Sequence, residues 1–146
     1  MRNDLKNNIG MVLLLEPQDL AHTDTTSDIL DTKESSGVVM SVVFGALTGV
    51  DADNYVTPVL QESDTTADAD FTDVDSENIE GGFTKIDAVT EDSVVQWCGY
   101  KGNKRYIRTH IVYAGSGITA GVGGVLGLLG RTKEAPVTAP AAISAT

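Results

Sequence analysis

The sequence is poor in the residues that do chemistry: it has one cysteine, two histidines, one tryptophan and 5% aromatic residues in all. Cys98 alone excludes an internal disulfide framework or a thiolate zinc cluster within one chain. His22 and His110 leave little material for general-base or metal-centred catalysis. Basic residues are scarce as well, with Lys and Arg totalling 10 against 21 Asp and Glu, a net charge of −11. Such a chain repels phosphate backbones and anionic lipid, so neither nucleic acid nor membrane is expected as a partner.

Long hydrophobic runs are also missing. The apolar run Met11–Leu15 ends at Glu16 and Pro17, short of the roughly 7–15 apolar residues of a secretory signal, so no targeting segment is expected. Ala114–Gly130 carries no charge over 17 residues. Seven of those residues are glycine, each costing a helix roughly 0.8–1.0 kcal/mol relative to alanine. A buried strand suits it better than a membrane helix. Period-two reading puts Ile118, Val122, Leu126 and Leu128 on one face and Gly121, Gly123, Val125, Gly127 and Leu129 on the other. That second, small face suits close approach by another sheet.

What is present is a series of short β-branched runs separated by Gly, Asp, Asn, Ser and Thr. Strands are predicted at Gly10–Glu16, Gly37–Gly45, Tyr55–Glu62, Phe83–Val89, Ser93–Tyr100 and Lys104–Ala114. Val38–Phe44 is apolar on both faces, as in a strand buried on both sides. Pro58 cannot donate to a ladder, which places its strand at an edge or a bulge. Lys101, Gly102 and Asn103 have the chemistry of a hairpin turn between the last two strands. The connections Gln18–Ser36 and Ser63–Gly82 are long enough to be functional loops or to hold short irregular strands. No segment sustains helical periodicity; the nearest, Arg2–Leu15, is weakened by Asn3, Asn7, Asn8 and Gly10. The expected fold is all-β, a single-domain antiparallel β-sandwich or jelly roll over residues 1–131, with an extended N-terminal arm. Residues 132–146, rich in Ala, Pro and Thr, are expected to form an extended C-terminal tail.

Charge is distributed unevenly. Residues 1–50 sum to 3 − 7 = −4, residues 51–100 to 1 − 13 = −12, and residues 101–146 to 6 − 1 = +5. Asp64, Asp68, Asp70, Asp73, Asp75, Glu77 and Glu80 crowd one loop, while Lys101, Lys104, Arg105 and Arg108 cluster in the predicted hairpin. The two clusters could pair within the fold or across an interface, and the sequence leaves both open. An EF-hand is excluded in both registers. Counting from Asp73 puts Asn78 and Thr84 where Gly and Glu are needed, and counting from Asp68 puts Asp73 and Ile79 there. The run Gly121–Leu126 lacks the last glycine of a dinucleotide fingerprint and has no helix after it. No catalytic, cofactor-binding or metal-ligating residue is assigned, no cofactor is expected, and the chain is not expected to be an enzyme.

Several blocks of sequence are distinctive in combination: Arg2-Asn3-Asp4-Leu5-Lys6-Asn7-Asn8-Ile9 before an apolar run and Pro17, then Thr57-Pro58-Val59-Leu60-Gln61-Glu62-Ser63-Asp64 and Phe71-Thr72-Asp73-Val74. The last is Gly99-Tyr100-Lys101-Gly102-Asn103-Lys104-Arg105-Tyr106-Ile107-Arg108. In this order, from Arg2 to about Pro136, they resemble a family of small head-region virion proteins of tailed bacteriophages, whose members look like capsid cement or decoration proteins. The resemblance implies a structural protein on the outer surface of the virion capsid, made in the host bacterial cytoplasm. Its implied partners are the major capsid protein and copies of itself, as dimer or trimer. The residues nominated for such contacts are Arg2, Lys6, Lys101, Lys104, Arg105 and Arg108, and the acidic Asp68, Asp70, Asp73 and Asp75. A head-to-tail connector or tail protein, and a host-facing carbohydrate- or calcium-dependent binding module, are the alternatives.

Overall fold

A computed structural model describes residues 5–20, 23–132 and 141–144. Arg2, His22 and most of the expected C-terminal tail lie outside them. The chain is all-β: two antiparallel sheets pack face to face as a β-sandwich. The strands are β1 (Ile9–Asp19), β2 (Thr25–Thr26), β3 (Leu30–Asp31), β4 (Ser35–Thr48), β5 (Tyr55–Ser63), β6 (Thr72–Asp73), β7 (Ile79–Gly81), β8 (Val95–Tyr100), β9 (Tyr106–Ala114) and β10 (Ala120–Thr132). Sheet A has the order β1-β10-β4-β8-β7, and sheet B the order β2-β9-β5-β6 with β3 also on β9. Both long connections of the sequence hold short strands: β2 and β3 in one, β6 and β7 in the other.

The core follows from alternation. Val12 and Leu14 of β1, Val38, Met40, Val42 and Phe44 of β4, and Val125 and Leu129 of β10 point inward from sheet A. Val56, Leu60, Ile107 and Ile111 meet them from sheet B. The small face of β10 is the inner one. A Cβ on Gly123 would meet Leu20 and Phe44, and one on Gly127 would meet Leu30 and Leu14, so these glycines make room for large side chains opposite. β4 is central; its inner face is buried, while its outer face runs from half-buried Val39 and buried Ser41 to Val43 at 37% exposed. Pro58 shares its side of β5 with Val56, which exchanges backbone hydrogen bonds with Ile86, and Leu60, whose carbonyl accepts from the Val74 N–H. Its missing N–H therefore falls on the side away from β9, between the isolated Val56–Ile86 bridge and β6, which pairs only with Gln61 and Glu62.

Two expectations need correction. Lys101, Gly102 and Asn103 do not close a hairpin: β8 pairs with β4 and β7 in sheet A, whereas β9 pairs with β5, β2 and β3 in sheet B. The turn residues carry the chain from one sheet to the other, and Gly102 lies so close to the Tyr100 ring that a Cβ would overlap it. The Tyr100 hydroxyl donates to Glu62 of sheet B and accepts from the Lys104 N–H at 2.9 Å, which ties the crossing down. Burial and the Glu62 carboxylate push the Tyr100 phenol up from its usual pKa. Phe83–Val89 is not a strand either; only Ile86 bridges, to Val56. The Thr84 backbone is instead met by the Gln96 side-chain amide, which accepts from the Thr84 N–H at 2.8 Å and donates to its carbonyl at 3.1 Å. A side chain has taken the place of a neighbouring strand.

Two further crossings interlock. Gly49, φ 86°, and Gly115, φ 76°, take left-handed conformations that favour glycine. The Asn54 side-chain oxygen accepts from the N–H groups of Ser116 at 3.0 Å and Gly117 at 2.6 Å, joining the β4–β5 turn to the β9–β10 turn. At the far end of the chain, Ile143 exchanges two backbone hydrogen bonds with Ile29, and Ala142 packs on the core.

Candidate functional site

The charged residues nominated from sequence mostly find partners inside the chain. Arg105 forms a forked pair with Asp31 of β3, Nη2 to Oδ2 at 2.7 Å, with Nε at 3.1 and 3.2 Å from the two oxygens. Burial raises the Asp31 carboxyl pKa, but Arg105 and the Lys33 N–H outweigh it and hold it below the usual carboxylate value. Lys104 pairs with Asp64 in the open, where an ion pair contributes little. Arg108 is the exception: it projects from the outer face of sheet B yet is only 6% exposed. Phe71 lies over its guanidinium at 4.1 Å, Gln61 accepts from its Nε at 2.9 Å, and Asp68 takes its Nη1. The loop after β5 folds back to seal a cation onto its own sheet.

The remaining acids disperse. Asp70 accepts from the Thr65 hydroxyl at 2.5 Å and Asp73 from the Gln61 amide at 2.9 Å, while Asp75 is exposed at the start of a 3₁₀ turn. Among the described residues, no three His, Cys, Asp or Glu side chains converge where a metal ion could sit. Lys6 is exposed in the turn before β1, and the exposed Lys101 donates its backbone N–H to Asn78. Cys98 is fully buried, and burial pushes its thiol up to about 12, which makes it inert as a nucleophile at neutral pH.

The surface feature that the charge map missed is the outer face of sheet A. Of the eight exposed large hydrophobic side chains among the described residues, six stand on it: Met11, Leu13, Val43, Val95, Trp97 and Val122. Register aligns Leu13, Leu126, Ser41 and Trp97 in one row and Met11, Leu128, Val39 and Gly99 in the next. None of these outward positions on the four strands is charged, in a chain of net charge −11. Charge returns with Asp19, which pairs with Val122 near the end of β1, and on the β7 side with Glu80 and Lys101. Trp97 is 67% exposed. Beside it the face dips into a cleft of about 410 Å³ over Gly37, Gly99 and Gly130, walled by Ile9, Val39 and Leu128 together with Glu80 and Lys101. The sequence signal was available in the outward positions of the strands, but strand alternation alone does not say which face a second sheet covers.

Comparison with known proteins gives no family. No family model matches, and no curated protein matches. Among solved structures, a spore-appendage protein described under "Bacillus endospore appendages form a novel family of disulfide-linked pili" is similar at 12% identity and TM-score 0.42, covering 91% of this chain and 96% of that one. The CBM22-1–GH10 modules of Clostridium thermocellum xylanase 10B, solved with xylohexaose, are similar at 9% identity and TM-score 0.42, covering 93% of this chain and 28% of that one. Both likenesses are too weak to bear on function.

Proposed function

We propose that this chain is a structural subunit of a repeating protein assembly and, following the resemblance of its sequence blocks, a decoration protein on the outer shell of a tailed-phage head. The observation that carries this reading is the predominantly apolar outer face of sheet A, with six large hydrophobic side chains exposed on it. Contiguous apolar patches on soluble proteins mark contacts with other macromolecules, and strands that read apolar on both sides need a cover. The surplus negative charge on the remaining surface supports solubility before docking. Lys104, Arg105 and Arg108 of the basic crossing, which the sequence offered as interface candidates, pair within the chain with Asp64, Asp31 and Asp68, which favours sheet A over them as the contact face.

The test is a reconstruction of the particle that carries the protein, or of undecorated heads mixed with purified chain. Density repeated across the outer shell is expected, with lower occupancy for Trp97→Asp. Density confined to the portal or tail overturns the shell assignment.

A further inference from the structure

We infer that the outer face of sheet A is covered by the same face of a second copy of this chain, with Trp97 of each copy seated in the glycine-floored cleft of the other. The inference rests on the assembly reading above and names the neighbour at that face. A two-fold contact requires one face to carry both a projection and its receptor, because each residue that enters the partner must meet on the partner what the partner meets on it. Sheet A has both. Trp97 stands 67% exposed, and the cleft of about 410 Å³ opens over Gly99, two residues further along the same strand and on the same side.

The cleft is not a by-product of packing inside the chain. A Cβ on Gly37 would come no closer than 3.6 Å to the Gly130 carbonyl, and one on Gly130 no closer than 3.9 Å to the Gly37 carbonyl. Neither has a positive φ. A side chain can therefore start at both positions without meeting the backbone closely, and among the described residues none fills the depression. Charge points the same way. Two bodies of net charge −11 repel, and the two rows through Trp97 and Gly99 on β1, β10, β4 and β8 carry no charge, while the cleft wall sets one acid, Glu80, against one base, Lys101. The size suffices: nine residues from Gly37 to Gly45 at about 3.3 Å each, and four strands at about 4.8 Å, make a footprint of roughly 30 by 19 Å. A ribbed face of that footprint has an accessible area of the order of the ~800 Å² per partner that stable pairs bury.

Trp97 is the sole tryptophan, so fluorescence reads the contact directly. In sedimentation equilibrium the full chain is expected at twice its monomer mass, with Trp97 protected from acrylamide and its emission shifting red on dilution. Trp97→Asp and, separately, Gly37→Leu, which fills the cleft but keeps the tryptophan, are each expected to abolish the dimer while circular dichroism stays unchanged. In Gly37→Leu, Trp97 becomes fully quenchable. A monomer at every concentration with a quenchable tryptophan overturns the inference. So does a dimer that survives both substitutions, or a tryptophan that shifts blue only with lipid vesicles or a glycan. A monomer that still decorates heads in a Trp97-dependent way overturns the dimer and leaves the assembly reading standing. A dimer that fails to decorate heads keeps the inference and removes the shell assignment.

Discussion

The two sheets show opposite treatments of an outward face. On sheet B the outward positions are mixed, with Thr57, Gln61, Arg108 and His110 among them, and the chain covers the most demanding one itself. Phe71 and Asp68 fold back over Arg108, so that a guanidinium on an outer face ends up as buried as a core valine. On sheet A the outward positions of the central rows are uncharged and mostly apolar, and six outward positions of the sheet hold large side chains more than a third exposed. A buried cation without partners costs several kcal/mol, so it must be satisfied within the monomer. An exposed apolar side chain costs far less and can wait for a neighbour. The difference separates a face finished by folding from one finished by assembly.

That contrast can be broken by substitution. Arg108→Ala should have the largest effect, about 2–3 kcal/mol of unfolding free energy from chemical denaturation, because it removes the ring contact, the Gln61 hydrogen bond and the packing of Phe71 together. Gly123→Val tests the inner side of sheet A. It overpacks against Leu20 and Phe44 and should cost about 2 kcal/mol, read as a lower denaturation midpoint at unchanged slope.

The Asp31–Arg105 pair gives a smaller effect with a defined sign. The folded-state pKa of Asp31 lies below its unfolded value of 3.8, so its contribution is fully present above that value and is lost as pH falls through the folded pKa. Melting temperature should therefore drop below about pH 4, and less steeply in Asp31→Asn. An equal acid slope in that variant would remove the pair from the account. Trp97→Ser should move the stability of the isolated chain by no more than about 0.5 kcal/mol, as for surface positions generally. A loss as large as that of Arg108→Ala, measured at a concentration where the chain is monomeric, would mean that sheet A is also finished by folding.

Much of the fold was legible in the residues. The strands around Val42, Leu60 and Ile111 follow from β-branched alternation bounded by turn residues, and Pro58 marked the open side of β5. The hairpin reading failed at Lys101–Asn103 because turn chemistry fixes local backbone geometry but not whether the next strand returns to the same sheet. Phe83–Val89 has a strand's pattern, yet the Gln96 side chain took the hydrogen bonds a neighbouring strand would have supplied. The charged clusters were visible as clusters, and their pairing was not, since Arg105 reaches back to Asp31 and Arg108 to Asp68 across long stretches of chain.

The sequence by itself determined the all-β class, the scarcity of cysteine and histidine, and the uneven charge, because these depend on composition and on the two-residue period of an extended chain. Tertiary structure decided which sheet each strand joined, and therefore which face of each sheet lay inside. Only that placement turned Met11, Leu13, Val95 and Trp97 from scattered apolar residues into one continuous face. It also turned Arg108 from a candidate contact into a sealed part of the fold.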